Sequence, residues 1–420
     1  MKKLLIIVHL PRTSPRIDGL VKNLPEFGWE PIILTGVTSK YASLPTRIVE
    51  TPYRNSLGFL GRLLKLDPEK DAMQQIKNRF GIISKGSPGD FFLSLGGEII
   101  NYPCPDKNWK PFALKAAHEI LQKENIGAVI SSSPPVTSHL ISSELKADHK
   151  IPWIADIRDL WSQNHNYRYS PLRRALDRRI ELKTLSKANA LITVSEPWGE
   201  KLRTLHKGKS VYVITHGFDP AEVNIPPAKL TAKFTITYTG SLYKGAHDPS
   251  KLLIALRDLI SEGGIDPDDI ETRFYGYKHV WLDKEIKHCG LSGLVKQYGQ
   301  VPRDVALQKQ RESQLLLRLS WEGREKAGYA GKLFEYLAAQ RPILATGLGN
   351  DMTKELLDET KAGIYSPTVE DIKNTLRELY QEYRFRGEVA YKGDESKINR
   401  YTHREMARKF CEILDSRARN

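Results

Sequence analysis

The chain has 420 residues, 40% apolar and 27% charged, with a formal net charge of +14. That is globular composition with room for two buried cores, and it excludes collagen-like, low-complexity and wholly disordered readings. No apolar run reaches the ~18 residues of a bilayer span. Three cysteines, Cys104, Cys289 and Cys411, lie far apart without metal-ligand spacing, which predicts reduced thiols in a cytoplasmic protein. Residues 1–217 hold 32 Lys and Arg against 20 Asp and Glu, whereas residues 218–420 hold 32 against 30. The first half therefore either faces something anionic or is well solvated.

In chain order, Lys2-Lys3 before Leu4 to Val8 imitates a signal peptide, but His9 and Pro11 break the run and no small-residue cleavage site follows. A first buried strand is expected there. Strands are predicted at Lys3–Val8, Glu30–Thr35, Gly127–Ser131, Pro152–Asp156, Ala190–Val194 and Val211–Ile214, with helices at Asp18–Phe27, Pro111–Asn125, Val136–His149, Pro171–Ser186 and Pro197–His206. Residues 40–105 fit this alternation poorly. Leucines from Leu57 to Leu66, with Arg54, Arg62 and Lys65 among them, predict a short basic amphipathic helix, set either at a membrane interface or on the domain. Phe91-Phe92-Leu93 follows after a Gly/Pro/Ser turn. A polybasic cluster comprises Arg168, Arg173, Arg174, Arg178, Arg179, Lys183 and Lys187.

Pro220, Pro226 and Pro227 interrupt regular structure in 219–232, which is read as a linker. A second series follows, with strands at Lys233–Thr239, Thr272–Tyr275, Leu315–Leu319, Pro342–Thr346 and Gly363–Tyr365, and helices starting at Pro249, Arg303, Gly331, Met352 and Val369. Strands alternating with helices predict parallel sheets and an α/β class of two αβα domains, 1–218 and 233–400, with a final segment 401–420. Asp266-Pro-Asp268-Asp269 has the Asp-x-Asp spacing of metal-dependent transferases, but its setting after Gly263-Gly264 predicts a polar turn. No Walker, His-Glu-x-x-His or Gly-x-Ser-x-Gly motif is present, which removes the common nucleotide hydrolase, metalloprotease and lipase mechanisms.

The stretch Gly331 to Gly347 (GKLFEYLAAQRPILATG) places Glu335 early in a helix whose apolar face is Leu333, Phe334, Leu337 and Ala338, ahead of a buried strand. A carboxylate there is aimed at the C-terminal edge of the sheet, where open α/β folds bind ligands. This stretch resembles the sugar-nucleotide signature of GT-B glycosyltransferases, family 4 in particular. The resemblance implies that Glu335 bonds the ribose hydroxyls and that the backbone from Gly328 through Tyr329 to Gly331, with Lys332, faces phosphate. The family's other glutamate falls here on Ala327, and neither Glu322 nor Glu325 has the usual spacing. Tyr238 to Gly245 (YTGSLYKG) looks like the family's Gly-rich turn, with Gly240 and Ser241 toward the diphosphate. Lys244, His247 and Lys332 are its candidate cations. Tyr275-Gly276 and Gly299 to Pro302 resemble later strand ends, where Tyr277 or Val301 would flank the base.

In the first half, Ser131 to His139 (SSSPPVTSH), Pro152 to Trp161 (PWIADIRDLW), and Tyr102-Pro103 with Asp106 and Trp109 resemble a bacterial and archaeal branch of family 4 that works on surface polysaccharides. Asp156, Arg158 and Asp159 put three charges at a strand end, which requires pairing or a ligand. The resemblance suggests Arg158, Asp159 and Lys244 as catalytic, and His9, Arg12, Arg16, Ser133 and Asp156 on the acceptor side. It implies a GT-B fold, two Rossmann-like domains facing a cleft, with the helix Arg404–Ser416 packed back on the first.

The implied activity is a hexosyltransferase working with retention from a nucleotide-sugar donor to a glycan or lipid-linked acceptor in surface-polysaccharide biosynthesis, with no cofactor and no obligatory metal. The basic first half suggests a cytoplasmic, peripheral membrane position. A GT-B nucleotide-sugar epimerase is the rival enzyme. A basic nucleic-acid-binding protein is the non-enzymatic rival, without any RNA-recognition or helix-turn-helix motif.

Overall fold

The computed structural model describes residues 1–10, 15–37, 44–53, 96–164, 167, 169–219, 221, 228–245, 247–320, 329, 331–347 and 352–417. The chain divides into two compact units, one formed by 1–214 with 407–420 and the other by 215–406. The division thus falls after Ile214, ahead of the proline-rich segment expected to separate the domains, and again inside the last helix.

The first unit is a sheet of seven parallel strands: β1 (Lys2–Ile7), β2 (Trp29–Gly36), β3 (Arg47–Thr51), β4 (Ile126–Ser133), β5 (Trp153–Ile157), β6 (Ala190–Thr193) and β7 (Val211–Val213). Their spatial order is β3-β2-β1-β4-β5-β6-β7. In register, Leu4 lies beside Pro31 on one side and Ala128 on the other. The helices are α1 (Pro15–Asn23), α2 (Lys110–Lys123), α3 (Thr137–His149), α4 (Pro171–Leu185) and α5 (Glu196–Leu205). Because β1, β4 and β5 are buried, each carries a short apolar run, Leu4 to Ile7, Ala128 to Ile130 and Trp153 to Ala155. Leu5, Ile7, Val129, Trp153 and Leu191 pack with Trp109, Ile141 and Trp198 in one core.

The second unit has six parallel strands: β8 (Phe234–Thr239), β9 (Ile270–Tyr275), β10 (Val295–Gly299), β11 (Leu315–Leu319), β12 (Ile343–Thr346) and β13 (Gly363–Ser366). Their order is β10-β9-β8-β11-β12-β13. Its helices are α6 (Ser250–Ser261), α7 (Val280–His288), α8 (Arg303–Arg311), α9 (Gly331–Ala339), α10 (Thr353–Thr360) and α11 (Val369–Arg386). One core gathers Phe234, Ile236, Leu252, Leu256 and Leu376, and another gathers Leu316, Leu333, Phe334, Leu337 and Ile343. Both sheets have the doubly wound topology in which the order of the strands reverses beside the first strand, so a crevice opens at the C-terminal ends of β1 and β8.

The α/β class and the tandem units hold as expected. Helix α1 is shorter than predicted: it ends at Asn23 and tightens into a 3-10 turn, Leu24–Phe27, with Pro25 inside it and Gly28 closing it at φ 84°. Proline lacks the N–H an α-helix would use at that point. Strands β3 and β10 and helix α7 were not predicted. Both strands are sheet edges, paired on one side only, and only Thr51 in β3 and Val295 in β10 are buried. The Asp-x-Asp segment is a 3-10 turn, with Asp266 accepting from Asp268 N. None of the three cysteines forms a disulfide, and all three are buried. After the short turn Glu395–Ile398, the last helix, α12 (His403–Arg417), places its later turns in the first unit. There Arg16 lies 5.1 Å from the Phe410 ring, and Trp29 Nε1 donates to Asp415 Oδ1 at 3.2 Å.

The polybasic cluster requires a correction. Arg173 is 3% exposed and serves the interior rather than the surface. Its guanidinium lies between the rings of Tyr102 (4.7 Å) and Tyr169 (4.8 Å). It donates to Asp177 (2.9 Å), Asn101 O (3.2 Å) and Pro103 O (2.9 Å). Arg173→Ala should therefore destabilise the protein by about 3 to 5 kcal/mol, since it strands the buried Asp177 carboxylate. Arg178→Ala or Arg179→Ala, on the exposed face, should change stability by about 0.5 kcal/mol or less. Urea unfolding of the three variants measures the contrast.

Candidate functional site

In the second unit the sites are set by how closely strand ends approach. Gly240, the first residue after β8, has φ 140°, and Gly276, the first after β9, has φ 156°. A side chain at Gly276 would run into the Gly240 carbonyl, and one at Gly240 into the Lys332 ammonium. Both positions need glycine for their backbone conformation, and Gly276 needs it for space as well, since its neighbour there is backbone. Gly240 N donates to Tyr275 O at 2.6 Å and Gly276 N to Gly299 O at 3.0 Å, so three successive strand ends are tied side by side.

Above them opens a pocket of about 210 Å³ whose lining includes Gly240, Ser241, Tyr277, Val301, Lys332 and Glu335. Helix α9 supplies the last two residues from its first turns, while Leu333, Phe334 and Leu337 anchor its opposite face in the core. Tyr336 on the same helix accepts from Thr239 N at 3.0 Å, and Gln310 Nε2 donates to Thr239 Oγ1 at 2.9 Å. These bonds pin the end of β8 to α8 and α9. The Glu335 carboxylate stands 3.6 Å from the Arg303 guanidinium, at the pocket rim.

Burial pushes the Lys332 ammonium down to about 8; Glu335 opposes this shift and Arg318 adds to it. Arg318 interrupts the apolar run of β11 before Leu319 and is itself buried. Lys332 and Glu335 thus converge where an anionic, hydroxyl-bearing ligand would be gripped. Of the three candidate cations, Lys332 is the one laid over the Gly-rich turn. Lys244 is exposed in the following turn, and His247 is half-buried, its N–H bonded to Tyr243 O at 2.9 Å. Tyr329 sits edge-on to Phe334 at 5.6 Å, and Gly331 opens α9.

In the first unit, Asp156 near the end of β5 is fully buried and pairs with Arg16 at 2.9 Å. Ser132 Oγ donates to Asp156 at 2.7 Å, Arg158 Nε donates to Ser132 Oγ at 3.0 Å, and Arg158 Nη2 donates to Pro134 O at 3.2 Å. Burial would raise the Asp156 carboxyl, but Arg16, Ser132 and Arg158 outweigh it and hold the group below the usual carboxylate range. Arg16, read as a loop cation, is thus the counter-ion of Asp156. Asp159 is exposed and Ser133 buried. His9 stacks on Tyr53 with centroids 4.4 Å apart. His139 shares a 2.7 Å hydrogen bond with Ser131, and burial pushes its imidazole down to about 4.

Arg12, Gly328, Ala327, Glu322, Glu325, Arg168, Leu57 to Leu66 and Phe91 to Leu93 lie outside the described residues. Sequence reading missed Arg318, Arg303, Gln310 and Tyr336. Only Arg318 carried a local signal, a charge inside the apolar run LLLRL.

Residues 72–222 match the family model described as Glycosyltransferase Family 4. No curated protein matches the chain in sequence. Among solved structures, Anabaena HepE in complex with UDP and glucose is similar over 99% of this chain and 100% of its own, with TM-score 0.63 and 13% identity. A glycosyltransferase from Rickettsia africae is similar over 99% and 98%, with TM-score 0.62 and 14% identity. A point mutant of S. aureus TarM, in complex with fondaparinux, alpha-GlcNAc-glycerol and UDP, is similar over 99% and 100%, with TM-score 0.59 and 12% identity. The fold is GT-B, as the motif resemblance implied, and the matched family is one of glycosyltransferases.

The depressed Lys332 ammonium has a consequence for stability. Between about pH 8 and the ordinary lysine value near 10.4, the unfolded chain binds the proton that the folded chain has released. Stability contributed by this position therefore rises with pH across that window. Lys332→Met should melt above the wild type near neutral pH, with the gap closing toward about pH 10. A variant that melts below the wild type near neutrality would contradict the desolvated lysine.

Proposed function

We propose that this protein is a retaining glycosyltransferase, carrying a hexosyl group from a nucleotide-sugar donor held in the second unit to a hydroxyl of a glycan or lipid-linked acceptor. The observation that carries the reading is the pocket over Gly240, where Lys332 and Glu335 meet at the start of α9. Glu335 offers fixed acceptor oxygens to a vicinal diol, and Lys332 with the first-turn amides of α9 offers donors to a diphosphate. The family match over 72–222 supports the transferase class. UDP, named in the HepE and TarM complexes, is the first nucleotide to try.

In the proposed step the bond between the anomeric carbon and the diphosphate oxygen breaks, and a bond to the acceptor oxygen forms on the same face. The acceptor proton passes to the departing phosphate. Lys332, with the first-turn amides of α9, offsets the charge that grows on the leaving group, with no rearrangement at the moment of reaction. We propose that no metal is obligatory, because Lys332 and the helix amides do the work a divalent ion would do.

Surface-polysaccharide assembly at the cytoplasmic leaflet is proposed as the setting. The excess of cations in 1–217 supports peripheral attachment, and no helix among the described residues is long and apolar enough to cross a membrane.

Thermal-shift screening of UDP-, GDP- and ADP-sugars should find a stabilising donor. Glu335→Ala should then weaken that donor by about 1.5 to 3 kcal/mol while remaining folded; unchanged affinity would remove Glu335 from the site. Donor affinity should fall as pH rises past about 8, where Lys332 loses its charge, and Lys332→Met should be weak and lack that fall. Activity should survive EDTA, and activity lost in EDTA and restored by magnesium or manganese would overturn the metal-free proposal. Epimerised donor accumulating without acceptor would overturn the transferase reading.

A further inference from the structure

Helix α4 of the first unit is built with its polarity reversed. Its inward stripe carries Arg173, Asp177, Glu181 and Thr184, all buried, and only Leu185 in its last turn joins the apolar core. Each charge on that stripe has partners within the unit. Asp177 accepts from Arg173 at 2.9 Å and from Tyr167 OH at 2.6 Å, and Glu181 accepts from Ser162 N at 3.0 Å. Outward, the helix presents Leu172, Leu176 and Leu182, which are 68%, 43% and 37% exposed. A helix on a water-facing surface normally has the opposite arrangement, with apolar residues inward and charges outward.

The outward face also has a definite charge. Asp177 and Glu181 are the acidic residues of α4 and both point inward, so the face bears no carboxylate. Arg174, Arg178, Arg179 and Lys183 are exposed on it. Leu172, Leu176, Arg179 and Lys183 recur at i, i+4, i+7 and i+11, which aligns them in one stripe, with Leu182 and Arg178 alongside. From Leu172 to Leu182 the helix runs about 15 Å, long enough to lie flat on a surface rather than touch it at one point.

We propose that this face docks on an anionic lipid leaflet, the leucines entering the boundary between headgroups and acyl chains and the arginines and Lys183 meeting the lipid phosphates. The proposal rests on the peripheral attachment proposed above and names the element that makes it. A nucleic acid fits the face less well. Its phosphates would engage the cations but offer nothing to three leucines, and α4 carries no aromatic residue on which a base could stack. A bilayer interface satisfies the apolar and the cationic groups together.

Flotation of the full-length protein with vesicles tests this. Wild type should float with equimolar phosphatidylcholine and phosphatidylglycerol, should float far less with phosphatidylcholine alone, and should be released by salt. Arg178→Gln with Arg179→Gln should weaken partition roughly 30-fold, about 1 kcal/mol for each cation. Leu172→Gln with Leu176→Gln should weaken it about tenfold or more while leaving the melting temperature of these exposed positions unchanged. If wild type floats and both double variants float equally well, the face lies elsewhere while peripheral attachment stands. If wild type floats with neither vesicle at low salt, attachment and the α4 face both fall. Salt-sensitive binding of single-stranded RNA that is lost in the arginine variant but indifferent to the leucine variant, without vesicle binding, would replace the lipid by a nucleic acid.

Discussion

The second unit depends on a close approach that only glycine allows. Gly276 lies against the Gly240 carbonyl, and Lys332 lies across Gly240 itself. Adding a side chain at either position would force apart the ends of β8 and β9, or lift the lysine off the turn. The surrounding bonds reinforce this contact: Tyr336 and Gln310 fix Thr239, one residue before the turn, and the apolar face of α9 fixes Lys332 and Glu335 above it. A site whose polar groups are held by packed neighbours meets its ligand with little ordering left to do.

The first unit solves a different problem, that of charge buried at strand ends. Asp156 would be costly alone, but Arg16 reaches it from α1 and Ser132 from β4, so three elements converge on one carboxylate. Arg158 is drawn into the same network through Ser132. The guanidinium is oriented by neighbours rather than free to sample rotamers. Its position at the sheet's C-terminal edge follows from the end of β5, and its direction follows from that network.

Legibility in the sequence follows burial. Strands buried on both faces, such as β1 and β11, write apolar runs (Leu4 to Ile7, Leu315 to Leu317) whose bounds can be read nearly right. The edge strands β3 and β10 face partners on one side only, and sequences such as RIVET and VKQYG carry no strong period. Glu335 is legible because it sits in an apolar helix pattern before a strand, a local context. The pairing of Arg16 with Asp156 joins residues far apart in sequence, and no spacing rule reports such a contact. Arg173 is misread for a related reason. Composition places it in a basic cluster, and only the helical phase, set by what α4 packs against, separates its inward side chain from the outward Arg174.

That phase also explains why α4 tolerates leucines in water. Its inward stripe is held by hydrogen bonds and ring stacking, with apolar burial only at Leu185 at its end, so the usual force that would rotate the other leucines inward is outweighed by several buried charged contacts acting together. Rotating the helix by about 100°, one residue's turn, would bury a leucine but strand Arg173, Asp177 and Glu181 without their partners. Losing one buried charged partner costs about 3 to 5 kcal/mol, whereas burying a leucine returns about 1.5 to 3 kcal/mol. The exposed leucines are therefore fixed outward by the polar interior, and the apolar, cationic face persists whether or not anything covers it.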